Sequence, residues 1–198
     1  MTSPSPWLSA VPLETRRLVL RQPTFADVPR IALYAGDFDV ARMLVAVPHP
    51  YTEAHASAFT GDVLASNLAG DSLALAVARL RERHAAIGMV TFTRDGPTAT
   101  IGWWFGKPYW GRGFATEAVI AMARLAFTDP SVRTLAAGAF EDNPASLRVH
   151  EKVGFIRTGL APRTSAARGG TVMQVEMALT REAFEALSPA QGGLKGKA

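Results

Sequence analysis

The 198-residue sequence contains no cysteine. That absence excludes disulfides, a thiol nucleophile, an acyl-cysteine intermediate and any thiolate metal site. Histidine is scarce as well. His49, His55, His84 and His150 are scattered without a ligand spacing such as H-E-x-x-H, so no metal is expected. No uninterrupted apolar run is long enough to cross a bilayer, and the opening MTSPSPWLSAVPLETRR lacks the basic and then apolar segments of a secretory signal. The expectation is a cytoplasmic protein with no membrane partner. Dense charge is missing too: 21 Lys+Arg against 17 Asp+Glu leave a net charge of +4. The basic residues, among them Arg16, Arg17, Arg21, Arg79, Arg81 and Arg83, are spread along the chain. Such a field favours anionic ligands but carries no nucleic-acid footprint.

What is present is a core. Hydrophobic residues make up 48% and charged residues 19%, the balance of a folded chain. The length fits one domain over residues 1–198, with its core at about 15–180. The ends, 1–10 and 189–198, are rich in Pro, Gly and Ser and are expected to be loose. TRRLVLRQ alternates Leu18 and Leu20 with polar neighbours, predicting a strand with one buried face. Thr24 then caps a helix on which Phe25, Val28, Ile31 and Leu33 form the apolar side, with Gly36 as its stop. Thr52 caps a second helix, with Ala56, Phe59, Val63 and Leu64 inward and Gly70 at its end.

SLALAVARL, AIGMVTFT and TATIGWWFG follow as three strands joined by short turns, an antiparallel meander. GFATEAVIAMARLAF is a helix with Phe114, Ala118, Met122 and Leu125 on one side. VRTLAAGAF is a strand. NPASLRVHEKVGF is a short helix with Asn143 at the N-cap, Pro144 at the first position and Gly154 past the end. GFIRTGL and TVMQVEMALT read as strands around the polar loop APRTSAARGG, and REAFEAL as a brief closing helix. The order β α α β β β α β α β β describes an α+β chain with one strand–helix–strand crossover near 105–140.

That crossover begins with YWGRGFATEA, Tyr109 to Ala118. A strand-to-helix turn leaves several backbone N–H groups without intrahelical partners, with the positive end of the helix dipole behind them. Gly111 and Gly113 permit close approach, Ala115 stays small, Arg112 adds charge and Thr116 a hydroxyl. Two readings stand: an anion cradle, or only a tight turn before a buried helix. No Gly-Lys-Ser/Thr ends the segment, and Thr116 occupies the third glycine of the dinucleotide fingerprint, so neither nucleotide loop is present.

GWWFGKPYWGRGFATEA together with EDNPASLRVHEKVGF resembles the Gcn5-related N-acetyltransferase (GNAT) superfamily. The nearest likeness is to its branch similar to the ribosomal-protein N-terminal acetyltransferases (RimJ/RimL-like), over about Thr15 to Thr180. The resemblance implies a mixed, largely antiparallel central sheet flanked by helices, with a strand splay that admits acetyl-CoA. The family's Arg/Gln-x-x-Gly-x-Gly/Ala signature falls on Trp110, Gly113 and Ala115, with Trp at the first place as is usual in this branch. It implies that N–H groups of Gly111, Arg112, Gly113, Phe114, Ala115 and Thr116 cradle the pyrophosphate. It also implies that backbone groups of Trp104 and Phe105 pair with the pantetheine arm. Asn143 contacts that arm on the same resemblance, although an Asn N-cap before Pro explains itself structurally. Ser146 lies near the sulfur as candidate general acid, and Arg148 either reaches the adenosine phosphates or is a surface arginine.

The implied reaction moves acetyl directly from the thioester to a primary amine, through a tetrahedral oxyanion. A base within hydrogen-bond reach, or a water relay, must take the amine's proton. Relatives often carry a carboxylate where this chain has Ala99 and Thr100, so no base transfers. Glu141 is the residue chosen for that role, with Asp142, Glu176 and His49 as others that could face the cleft. The acceptor is a protein N-terminal α-amine or a small amine. A non-catalytic acyl-CoA-binding module and a nucleotide-binding protein are the competing classes, and a homodimer is the expected assembly, since many members of the family associate.

Overall fold

The computed structural model describes residues 7–70 and 72–187. Of the ends expected to be loose, 1–10 and 189–198, residues 1–6 and 189–198 lie outside them. Among the described residues eight strands form one sheet: β1 (Leu13–Glu14), β2 (Leu18–Arg21), β3 (Ser72–Arg79), β4 (Glu82–Asp95), β5 (Thr98–Phe105), β6 (Thr134–Phe140), β7 (Ile156–Ser165) and β8 (Gly170–Thr180). Their spatial order is β1-β2-β3-β4-β5-β6-β8-β7. The helices are α1 (Val28–Ala35), α2 (Phe38–Ala41), α3 (Glu53–Ala69), α4 (Phe114–Ala126), α5 (Pro144–Val153) and α6 (Arg181–Leu187). No helix among these residues is long and apolar enough to cross a membrane. The antiparallel meander β3-β4-β5 and the crossover β5-α4-β6 stand where the sequence puts them.

The sheet is covered on both faces at its centre. In β3, Leu73, Leu75 and Val77 belong to the core under α4, while Ala74 and Ala76 meet α1 and α3. What reads as apolar alternating with polar is therefore large alternating with small, and Leu18, Val19 and Leu20 of β2 are likewise all buried. The sequence pattern misplaces one face of α1 as well. A 3-10 turn over Phe25–Asp27 precedes it and shifts its phase, so Phe25 and Leu33 are exposed while Val28, Ile31, Ala32 and Ala35 are buried. Asp27, buried at the start of α1, accepts from Thr24 N at 2.9 Å and from the Arg21 fork at 2.7 and 2.8 Å.

Two further expectations change. Trp7, assigned to a loose end, is fully buried edge-on to Phe92 with ring centroids 4.6 Å apart. The polar loop before β8 shrinks to a turn over 166–169, because β7 runs to Ser165 in register with β8. An exposed edge strand is held by backbone pairing, so its polar side chains do not break it.

The feature that positions the site is the join between β5 and β6. They pair in parallel only where Thr98, Ala99 and Thr100 face Thr134, Leu135 and Ala136. Beyond that they part. Ile101–Phe105 continues along β4, and Ala137–Phe140 continues along β8.

Candidate functional site

The parted strands open a cleft of about 920 Å³, bounded by β5, β6, the 109–116 turn and the first turns of α5. Of the residues expected in the site, Trp104, Phe105, Gly111, Gly113, Phe114, Ala115, Thr116, Asn143 and Ser146 line it, whereas Arg112 and Glu141 do not.

At the turn, Gly111 and Gly113 hold φ of +71° and +74°. A side chain at either position adopts the left-handed region at a cost of roughly 1–2 kcal/mol. Gly113 is the N-cap of α4 and supplies no side chain to cap it. The first backbone bond of the helix is Glu117 N to Gly113 O, and no protein acceptor meets the N–H groups of residues 111–116 among the described residues. Successive unpaired N–H groups at a helix start form an anion site. Arg112 contributes through its backbone: its side chain is exposed, and its carbonyl accepts from Arg17 Nη1 at 3.0 Å.

The strand edge differs by one residue from the expectation. Gly106 N donates to Ile87 O on β4, and alternation along the ladder turns the backbone of Trp104 toward β4 as well. The groups that face the splay are therefore those of Trp103 and Phe105. The Phe105 carbonyl already accepts from Trp110 Nε1 at 2.7 Å, which ties the turn to the end of β5. Trp103, to which the sequence assigned no role in the site, rests with its ring centroid 4.5 Å from that of His150 and is the residue that sequence reasoning missed. Two-residue periodicity could have found it, but only with the pairing register of β4 known.

On the opposite wall, Asn143 Oδ1 accepts from Ser146 N at 3.1 Å, so its capping role is realised. The Ser146 hydroxyl has no partner among the described residues and lies on the cleft wall. His150, one turn on, is buried beneath it and bonds Ser146 O through Nδ1 at 2.8 Å. Because a carbonyl can only accept, Nδ1 carries the proton. Burial pushes this imidazole down to about 4, so it is neutral at physiological pH.

The far end of the cleft is lined by Val40, Met43, Leu44 and Val45 together with Asp142, Arg163 and Glu176. Asp142 accepts from Arg168 at 2.8 and 3.0 Å and from Arg42 at 3.2 Å. The Arg168 hydrogen bonds above all hold its carboxyl below the usual range. Glu176 accepts from Arg163 at 3.0 Å. Glu141, the base chosen from sequence, is exposed and outside the cleft, and His49 packs against Phe38 instead. The wall has turned: β6 ends at Phe140, and the two residues that follow it point differently.

Residues 17–156 match the family model of the acetyltransferase (GNAT) domain. The B. subtilis protein YnaD, named an uncharacterised N-acetyltransferase, is 29% identical over 150 residues, 74% of this chain and 84% of YnaD. The match to B. subtilis YokL, also named an N-acetyltransferase, is 30% identical and spans 50% of this chain but only 58% of YokL. Among solved structures, Mycobacterium smegmatis RimJ with CoA-disulfide superimposes with a TM-score of 0.74 at 20% identity, over 88% of this chain and 89% of that one. Vibrio cholerae spermidine N-acetyltransferase with CoA and spermine gives 0.72 at 15% identity, over 86% and 99%. The structural likenesses show the fold. The family match covers β2 to β6 and all of the cleft lining except the residues on β7 and β8, and the chain belongs to the GNAT acetyltransferase family.

Proposed function

We propose that this protein transfers acetyl from acetyl-CoA to a primary amine, with a peptide N-terminal α-amine as the acceptor. The observation that carries this reading is the run of unpartnered N–H groups at 111–116 opening into the strand splay. The turn takes the pyrophosphate, and the Trp103 backbone receives the pantetheine arm as an added strand. The amine enters from the far end, loses a proton and attacks the thioester carbon. The C–N bond forms, the oxyanion collapses, and the C–S bond breaks. Ser146 Oγ, free on the cleft wall, delivers the proton to the departing sulfur. Glu176 is the carboxylate in the cleft with a single arginine partner, and it takes the place given to Glu141, directly or through water.

Both far-end carboxylates are already paired, against three arginines: Arg42, Arg163 and Arg168. Such a wall does not attract a polycation, whereas its apolar part suits the side chain beside a single amine. The test is release of CoA thiol across short peptides, spermidine and an aminoglycoside. A chain without cysteine gives this readout no background. Peptide-dependent release that disappears in Gly113→Trp and falls at least tenfold in kcat, with KM kept, in Ser146→Ala is expected. Release with spermidine but no peptide overturns the acceptor assignment. CoA binding without release to any amine favours a binding module.

A further inference from the structure

The geometry points to Arg17, held by Glu117 and Thr15, as a positioning residue that sets the acetyl-CoA turn from outside it. Neither Arg17 nor Glu117 lines the cleft, and they lie 100 positions apart in sequence. Glu117 sits in the first turn of α4 and accepts on both oxygens: Oε1 from Thr15 Oγ1 at 2.6 Å and from Arg17 N at 2.8 Å, Oε2 from Arg17 Nε at 2.7 Å. Burial alone pushes this carboxyl up, but the hydrogen bonds from Thr15 and Arg17 outweigh it, so it stays ionised well into acid. The Arg17 guanidinium is thereby fixed in plane, 4.8 Å above the Phe114 ring. Its Nη1 then donates to the Arg112 carbonyl at 3.0 Å.

A peptide group is rigid, so its carbonyl and its N–H point in opposite directions. Pulling the Arg112 carbonyl toward Arg17 turns the Gly113 N–H the other way, toward the cleft. Arg17 Nη2 also stands 3.4 Å from where a Cβ on Gly113 would be, so the guanidinium packs against the turn as well as bonding it. Two glycines in the left-handed region are otherwise free to rearrange, since glycine takes positive and negative φ with similar ease. The clamp removes that freedom before the ligand arrives, and preorganisation of this kind appears as affinity. Lysine cannot replace it, because one ammonium does not span Glu117 and the Arg112 carbonyl in a fixed plane.

This inference rests on the turn binding the pyrophosphate, and the test separates the two. Calorimetry of CoA binding and steady-state rates with acetyl-CoA and with S-acetylpantetheine, a donor that ends before the pyrophosphate, are compared for wild type, Arg17→Met, Arg17→Lys and Thr15→Val. Arg17→Met is expected to weaken CoA binding about tenfold or more and to raise KM for acetyl-CoA equally, with kcat at saturation within about twofold. Rates with S-acetylpantetheine stay unchanged. Arg17→Lys does not rescue, and Thr15→Val, which keeps Arg17 and serves if the others fold poorly, loses less in the same direction. Equal losses with both donors, or unchanged CoA affinity in a folded variant, overturn the clamp. Absence of CoA binding to wild type overturns the parent reading instead.

Discussion

His150 shows how one buried side chain can serve a site without touching it. Its Nδ1–H bonds Ser146 O, its ring supports Trp103, and its Nε2 is buried with no partner among the described residues. That unpaired nitrogen is the acceptor left when Nδ1 holds the proton. Protonating it would bury a charge, and desolvation therefore lowers its pKa from 6.5 to about 4. The unfolded chain binds this proton at higher pH than the folded one. Stability is therefore full above 6.5, falls as pH drops through the window from 6.5 to 4, and levels off below it for this group. The loss is expected to reach roughly 3 kcal/mol. Urea melts at pH 7 and pH 4.5 measure it, and His150→Phe should flatten the slope between them. An unchanged slope would assign the acid sensitivity elsewhere. The composition made this residue visible as a scarce type, but nothing in RVHEKVGF distinguishes a buried imidazole from a solvated one. Ser146 and Asn143 were legible for the opposite reason, since a helix start fixes their spacing locally.

At the scale of elements, α3 gives the clearest case of a pattern hidden by its own solution. Its buried face is Ala56, Thr60, Val63 and Asn67, a regular i, i+4, i+7, i+11 series with two polar members. Thr60 is satisfied by Ala56 O at 2.8 Å. Asn67 receives the Ala74 N–H at 2.8 Å and donates to the Ala74 carbonyl at 3.0 Å, where β2 has ended and β3 continues. One amide side chain thus finishes a backbone ladder. Asn67→Leu keeps the volume but leaves both groups of Ala74 without partners, an expected loss of about 2–4 kcal/mol. For a chain of this size that corresponds to roughly 5–15 °C in Tm. Differential scanning calorimetry checks it, and a loss near zero would mean that water or a helix shift replaces the amide. Strands and helices were readable because their periods are local. Their faces were not, because a sheet covered on both sides replaces the polar half of each pattern with alanine. The clamp on the turn escaped for a related reason: Arg17 reads as one basic residue among many, and Glu117 as an ordinary acid in a first helical turn.

At the scale of the molecule, the sheet divides along the sequence. Strands β1 to β5 form one side, β6 to β8 the other, and the direct ladder between β5 and β6 is three residues long. The glycine turn follows β5, and Asn143 and Ser146 follow β6, so this part of the cleft was legible from the order of motifs. The far end, built by α2, the segment after it and the β7-β8 hairpin, was not, because its contacts join positions 100 and 126 residues apart. The same division bears on how the protein comes apart. A short ladder is a natural line of opening, and a ligand that spans it ties the margins together while binding only the closed form. Hydrogen exchange at the amides of Trp103, Phe105 and residues 137–139 is expected to slow by at least tenfold at saturating CoA, with β3 and β4 little changed. Uniform protection over the whole sheet would instead mean that the chain opens only by unfolding globally. If the margins do open first, a bound CoA completes the protein's mechanical continuity, and the chain without it is more exposed to proteolysis at its centre than at its edges.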